Sequence, residues 1–310
     1  MGQGDGLRDL VRPIPYIFDY GPDPQFDLVA QLRDFETAEQ AEKRRKSLVR
    51  ALKRHRPKEA LLIGALSTCT EPNRCRLLCC PVCMRAMRRW ACGQFAPIVA
   101  EAPERWTIVT LVPDRHRLDA GMLHRFNPQH LFDAIRKAVK RYGPPGTIVF
   151  GAVDFCEDMI GAPGWGLKRR VWCPHIQVMS NLSPEQWAVI RIKLKRYFTI
   201  TAEVKNPIHV GAIQGSYLNL MKPISYCVKA TYYSRFVNKF SGDAIDAADI
   251  HPGKGKPRRM HGAMLAELAV LMAQWRRKDR LLLIGLKGVK KSVVRTKPAG
   301  RSRCLKGSGV

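Results

Sequence analysis

The sequence predicts an α+β fold, a split βαβ or ferredoxin-like antiparallel sheet with its helices on one face. Two observations predict it. Segments rich in β-branched residues alternate with amphipathic segments in the order strand, helix, strand, strand, helix, strand. A Cys-rich stretch before that array and a strongly basic stretch after it lack its pattern.

The elements follow in order. Residues 1–35 mix Pro, Gly and Asp (Arg12-Pro13-Ile14-Pro15, Gly21-Pro22-Asp23-Pro24) and predict an extended arm. Residues 37–55 are good helix formers crowded with Lys43, Arg44, Arg45, Lys46, Arg50, Lys53 and Arg54, either a solvated face or a phosphate-contacting one. The cysteine cluster follows, continued by Arg85, Arg88, Arg89 and Trp90, and these three arginines are candidate DNA contacts. Residues 106–112 (Trp-Thr-Ile-Val-Thr-Leu-Val) read as a strand closed by Pro113-Asp114.

Asn127-Pro128 opens a helix that ends near Tyr142-Gly143. Residues 147–155 and 169–180 are the next two strands, joined by a loop with Gly161, Gly164 and Gly166. Ser183-Pro184-Glu185 caps a second helix carrying Trp187, Ile190, Leu194 and Tyr197 on one face. A strand over 207–213 and a third helix over 217–237 complete the array, with Pro223 expected in that helix's first turn. Beyond Gly242 the sequence predicts one helix, over 263–276, and a disordered end over the last twenty residues.

The chain holds 53 Lys plus Arg against 26 Asp plus Glu, a formal charge of +27. Residues 251–310 contribute 16 of these basic residues against 2 acids. Such an excess implies a polyanionic partner, with the basic C-terminal tail as one of its contacts. An anionic membrane would need an amphipathic anchor, a lipidation site or an apolar span, and the sequence offers none, so the expected partner is DNA and not a membrane. Residues 1–5 lack the basic and apolar regions of a signal peptide, which makes the expected location cytoplasmic.

A reducing compartment favours metal binding over disulfides. Five of the ten cysteines lie in residues 69–83. Cys69, Cys75, Cys80 and Cys83 end in a C-x-x-C knuckle and supply four thiolates, enough for a tetrahedral structural zinc site, with Cys79 as a substitute for Cys80. On a strand, side chains two apart share a face, so His175 and Gln177 point together and can grip one Mg²⁺ or Mn²⁺. Asp154 is the expected third ligand and Glu157 its rival. Lys222, Tyr226, Lys229 and Tyr233 fall on one stripe of the third predicted helix. A phenol with its usual pKa near ~10 needs a neighbouring cation to become a nucleophile, and Lys229 can supply it.

Three of these features occur together in the order found in the HUH superfamily of single-strand DNA endonucleases, and the chain resembles its plasmid rolling-circle replication initiators. They are Ile108-Val109-Thr110-Leu111, Pro174-His175-Ile176-Gln177 and Tyr226-Cys227-Val228-Lys229, with Gln177 where the family usually has a second His. The resemblance covers roughly residues 65–240. It implies a ferredoxin-like nuclease in which His175, Gln177 and Asp154 hold Mg²⁺ or Mn²⁺ and Tyr226 attacks DNA, leaving a 5′-phosphotyrosine and a free 3′-hydroxyl. Tyr232 and Tyr233 remain alternative nucleophiles. Such an initiator would nick and rejoin a single-stranded or hairpin origin and work with a host helicase.

The expected organisation is an N-terminal arm and basic helix (1–60), a zinc segment (61–95), the nuclease domain (100–240) and a basic helix and tail (241–310). A transposase of the same superfamily shares this chemistry. A non-catalytic zinc-containing DNA-binding regulator would explain the charge and the cysteines, but would have no need of His175, Tyr226 and Lys229.

Overall fold

The computed structural model describes residues 35–161, 168–201, 204–213, 217–229, 233–237, 258–289 and 292–296. The expected N-terminal arm up to residue 34, most of the Gly-rich loop, Tyr232 and the end beyond residue 296 lie outside the described residues. In chain order the main elements are helices α1 (Ala38–His55), α2 (Ala60–Ser67) and α3 (Pro81–Ala100), then strands β1 (Thr107–Leu111) and β2 (Leu118–Asp119). Helix α4 (Gln129–Tyr142), the long hairpin β3 (Val149–Gly161) and β4 (Lys168–Ser180), helix α5 (Pro184–Leu194) and strand β5 (Ile208–Ala212) follow. The chain continues with α6 (Tyr217–Cys227), β6 (Tyr233–Val237), β7 (Arg258–Arg259), α7 (Gly262–Gln274), α8 (Arg277–Arg280), β8 (Leu281–Ile284), β9 (Leu286–Val289) and β10 (Ser292–Arg295). No helix among the described residues is long and apolar enough to cross a membrane.

The class is α+β with a mostly antiparallel sheet in the order β5-β1-β4-β3-β6-β7. Strand β2 joins the free part of β4, and β9 and β10 form a separate ribbon. The far edge of β3 is shared: β8 pairs with it antiparallel along Val149–Ala152, and β6 pairs with it parallel along Cys156–Ile160. Only this β3–β6 ladder is parallel among the described pairings.

Local sequence explains the helix starts. Thr37 and Gln40 close a capping box on α1, and Ser183 and Gln186 close another on α5, so orphan amides of each first turn are satisfied. Along α1, Ala41, Arg45, Leu48, Val49 and Leu52 are buried, which leaves Lys43, Lys46, Arg50 and Lys53 exposed at helical spacing. The Trp187 indole donates to Ser180 Oγ at 2.7 Å and pins α5 to β4.

Alternation along the strands gives the sheet two different faces. One carries Val109, Leu111, Ile176, Val178 and Ser180 and lies under α4 and α5. On the other, Phe150 stacks on Phe95 of α3 with ring centroids 4.0 Å apart, and α6 packs beside α3. The sheet is therefore covered on both faces, not on one. The second cover comes from α3, which the sequence pattern assigned to the cysteine segment, and from α6.

Three further expectations are corrected. The helix predicted over 217–237 ends at Cys227, and residues 233–237 form β6, because aromatic and branched residues there complete the open edge of β3. Pro223 lies inside α6, away from its first turn. The helix expected over 263–276 is α7, whose Met264, Leu268, Leu271 and Met272 are core residues, but it is followed by β8, which extends the sheet, and residues 292–295, within the stretch expected to be disordered, pair with 286–289.

Gly151 sits where β3 crosses β4 most closely, since a Cβ there would collide with the carbonyl of Gln177. Gly151→Ala should lower stability by about 1–3 kcal/mol, read as a lower urea midpoint. An unchanged midpoint would show that the strands part there without cost.

Candidate metal centre and active site

The end of α2 and the start of α3 bracket four converging thiols. Cys69 follows the last turn of α2, Cys80 is the N-cap of α3 with Pro81 at its first position, and Cys83 lies in its first turn. The four Sγ atoms of Cys69, Cys75, Cys80 and Cys83 all lie within 4.8 Å of one another. Cys69 and Cys75 are each 3.7 Å from Cys83, and Cys80 is 3.5 Å from Cys69. A tetrahedral zinc with Zn–S bonds of ~2.3 Å would set its sulfurs about 3.8 Å apart, so the group fits without rearrangement.

The backbone is shaped to the same end. Arg76 takes a left-handed conformation (φ 61°), which lets its amide donate to Cys83 Sγ at 3.2 Å while the Cys75 amide donates to Cys69 Sγ at 3.3 Å. Thiolates at the N-terminus of α3 also meet the favourable end of its dipole. Hydrogen bonds from Cys75, Cys80 and Cys83 hold the Cys69 thiol far below the usual thiol range. Cys79 stays outside the cluster, against Leu48, Leu265, Leu268, Ala269 and Met272, and burial pushes its thiol up. The set can hold a metal ion such as zinc, and Cys80, not Cys79, belongs to it.

The second site lies on the α3/α6 face of the sheet. Asp154 on β3 stands opposite His175 on β4, and Gln177 stands between Ala152 of β3 and Thr110 of β1. Gln177 Oε1 and Asp154 Oδ1 are both buried without a hydrogen-bond partner. Two unpaired oxygens beside an imidazole form a donor set suited to a hard divalent cation. Ile108 and Thr110 on this face are only half-buried while Thr107, Val109 and Leu111 on the other are buried, so the face opens toward β1 and β5.

Tyr226, in the last turn of α6, is 44% exposed. Lys229 joins it to the sheet: its Nζ is 4.0 Å from the Tyr226 ring centroid and 3.4 Å from Asp154 Oδ2. Burial disfavours the Lys229 ammonium, yet the Asp154 carboxylate and Tyr226 outweigh it and hold the proton above the usual lysine range. Burial pushes the Asp154 carboxyl up, with Lys229, Arg280 and His175 opposing. Arg280 is wholly buried and donates to the Lys229 carbonyl at 2.5 Å, so a residue from the C-terminal region braces the site from behind.

Some expected residues fall elsewhere. Glu157 points to the opposite side of β3, where Arg170 and Ser234 engage its carboxylate, so it is no rival of Asp154. Lys222 is exposed on α6, and the stripe through Lys222, Tyr226, Lys229 and Tyr233 does not exist because the helix ends between them. Arg85 donates to the Glu36 carbonyl and to Glu71, and Arg88 is buried with Nη2 2.7 Å from Ser225 Oγ. These two tie the protein together and are not open DNA contacts. Arg89 is half-buried.

Sequence reasoning missed Cys156, Asp158 and Cys173, which form a second buried group of metal-binding side chains. The Cys173 hydrogen bond lowers the Cys156 thiol to about 6 against its burial, helped by His175. The alternation that paired His175 with Gln177 also places Cys173 on their face, and puts Cys156 and Asp158 beside Asp154.

No family model matches the chain, and comparison with curated proteins and with solved structures gives no match.

Cys80→Ser or Cys83→Ser should remove one zinc equivalent per chain and lower the melting temperature, whereas Cys79→Ser should keep the zinc. Metal analysis of the purified variants checks this, and equal zinc in all three would exclude the four-thiol centre.

Proposed function

We propose that this chain is a single-strand DNA endonuclease with a tyrosine nucleophile, acting as a rolling-circle replication initiator. The observation that carries the reading is the convergence of Tyr226, Lys229 and Asp154 through one ammonium, on the sheet face that also bears His175 and Gln177. The strand order β5-β1-β4-β3, with α4 and α5 as the connecting helices, supports a split βαβ or ferredoxin-like nuclease core.

In this reading His175, Gln177 and Asp154 hold Mg²⁺ or Mn²⁺, and a cation bound there polarises the scissile phosphate. Lys229 opposes the burial that favours the neutral form of Asp154, and its ammonium lies against the Tyr226 ring, where it can meet the phosphate that Tyr226 attacks. That oxygen attacks phosphorus as its proton leaves to solvent, forming the phosphotyrosine bond to the 5′ end. The P–O bond to the 3′ oxygen breaks, and that oxygen takes up a proton to become a free hydroxyl. Reversal of the same exchange rejoins strands. Exposure of Tyr226 suits attack on a strand laid across the open side of the sheet, and the exposed bases of α1 suit phosphate contacts. The four-thiol centre serves structure: it starts α3, whose Arg88 grips Ser225 next to Tyr226.

Incubation with labelled single-stranded DNA and Mn²⁺ should give a covalent adduct that EDTA prevents. Tyr226→Phe should abolish the adduct and leave salt-dependent binding intact, Tyr232→Phe and Tyr233→Phe should keep it, and Gln177→His should preserve it or raise it. Adduct formation by all three Tyr variants would leave a zinc-containing DNA-binding regulator as the better account.

A further inference from the structure

Strands β3 and β4 carry a second convergence of ligands that the nicking chemistry does not use. Cys156 and Cys173 are directly opposite in the ladder, one pair along from Asp154 and His175. Asp158 reaches back between the two thiols: Cys156 Sγ lies 3.5 Å from Asp158 Oδ1, and Cys173 Sγ lies 3.0 Å from Asp158 Oδ2. The two sulfurs and a carboxylate oxygen lie within 4.8 Å of one another, and all three residues are buried. His175 closes the group from the side of the candidate active site, its Nε2 3.8 Å from Cys156 Sγ. We propose that Cys156, Cys173 and Asp158 form a second zinc-class metal site, separate from the four-thiol centre and from the His175 site beside it.

Donor chemistry selects the class of ion. Two thiolates are soft ligands, which favour Zn²⁺ and its neighbours over Mg²⁺ or Ca²⁺. Zn–S of ~2.3 Å and Zn–O of ~2.1 Å at tetrahedral angles put sulfur and oxygen about 3.6 Å apart, which the 3.5 Å from Cys156 Sγ to Asp158 Oδ1 matches, while Cys173 Sγ at 3.0 Å from Oδ2 would move outward on binding. Charge is consistent as well. Two thiolates and one carboxylate carry three negative charges, two of which a divalent ion would neutralise, and Arg117, which also pairs with Asp114, stands with Nη2 3.8 Å from Asp158 Oδ2. Three ligands come from the protein's buried strand pair. The imidazole that faces Asp154 borders this group and is not one of its ligands.

The site holds whether or not the chain nicks DNA, and its test reads metal, not activity. Full-length protein purified with zinc under reducing conditions and passed through a desalting column should carry two zinc equivalents per chain. Cys156→Ser/Cys173→Ser should carry one, Asp158→Asn should lose the same equivalent, and Gln177→Ala should keep both. With cobalt in place of zinc, the thiolate-to-metal charge-transfer absorption of the double variant should fall by about a third, since two of six thiolates are lost. That absorption also shows that the four-thiol centre of the variant is still assembled. One zinc per chain in the unaltered protein overturns the proposal without recourse to any variant. So does an unchanged zinc count in the double variant, or a Cys156–Cys173 disulfide in protein that holds one zinc.

Discussion

The antiparallel register of β3 on β4 is the constraint from which the rest of this molecule follows. Asp154 faces His175 and Cys156 faces Cys173 only in that register. A slip of one residue would send every one of these side chains to the opposite side of the sheet, under α4 and α5. Gly151 helps to fix it, because the strands pass so closely there that no side chain fits between them. Phe150 locks it from the α3 side by stacking on Phe95. The hairpin therefore acts as a ruler on which chemistry is laid out two residues at a time.

What is built on that ruler is electrically expensive. Asp154 is buried, and burial of a carboxylate favours its neutral form. Lys229, with Arg280 behind it, supplies the compensating charge, and both are held by main-chain and packing contacts and not by solvent. Helix α3 connects this arrangement to the four-thiol centre: its first turn carries Cys83, and Arg88 further along bonds to Ser225. A metal held by the cysteines would thus be coupled to Tyr226, through the start of α3 and its grip on α6.

Much of this was legible in the sequence, and the failures have physical causes. Local signals placed α1, α4, α5 and the strands β1, β3, β4 and β5, because capping boxes and short-range periodicity decide those elements. The spacing of Cys69, Cys75, Cys80 and Cys83 was enough for the four-thiol cluster, and alternation was enough to put His175 and Gln177 on one face. The misreading of residues 217–237 as one helix arose because helical spacing of Tyr226, Lys229 and Tyr233 was a local coincidence, whereas β6 forms only through a non-local edge of β3. Arg85 and Arg88 were read as surface charges because no sequence signal reveals that Glu36, Glu71 and Ser225 stand beside them. Cys156, Asp158 and Cys173 were legible and overlooked: the same period of two that selected His175 also selects them.

The C-terminal region carries the last step of the argument. Its basic composition suggested a tail for DNA, yet Arg280 is one of its residues and is wholly buried behind Lys229. Lys229 and Arg280 both stand near Asp154 and oppose the burial that favours its neutral form. A unit cut after residue 240, where the expected nuclease domain ends, would retain the tyrosine, the histidine and the cysteines. It would lose Arg280, the core residues of α7 and the β8 ladder on β3, and with them the burial that gives the remaining charges their strength.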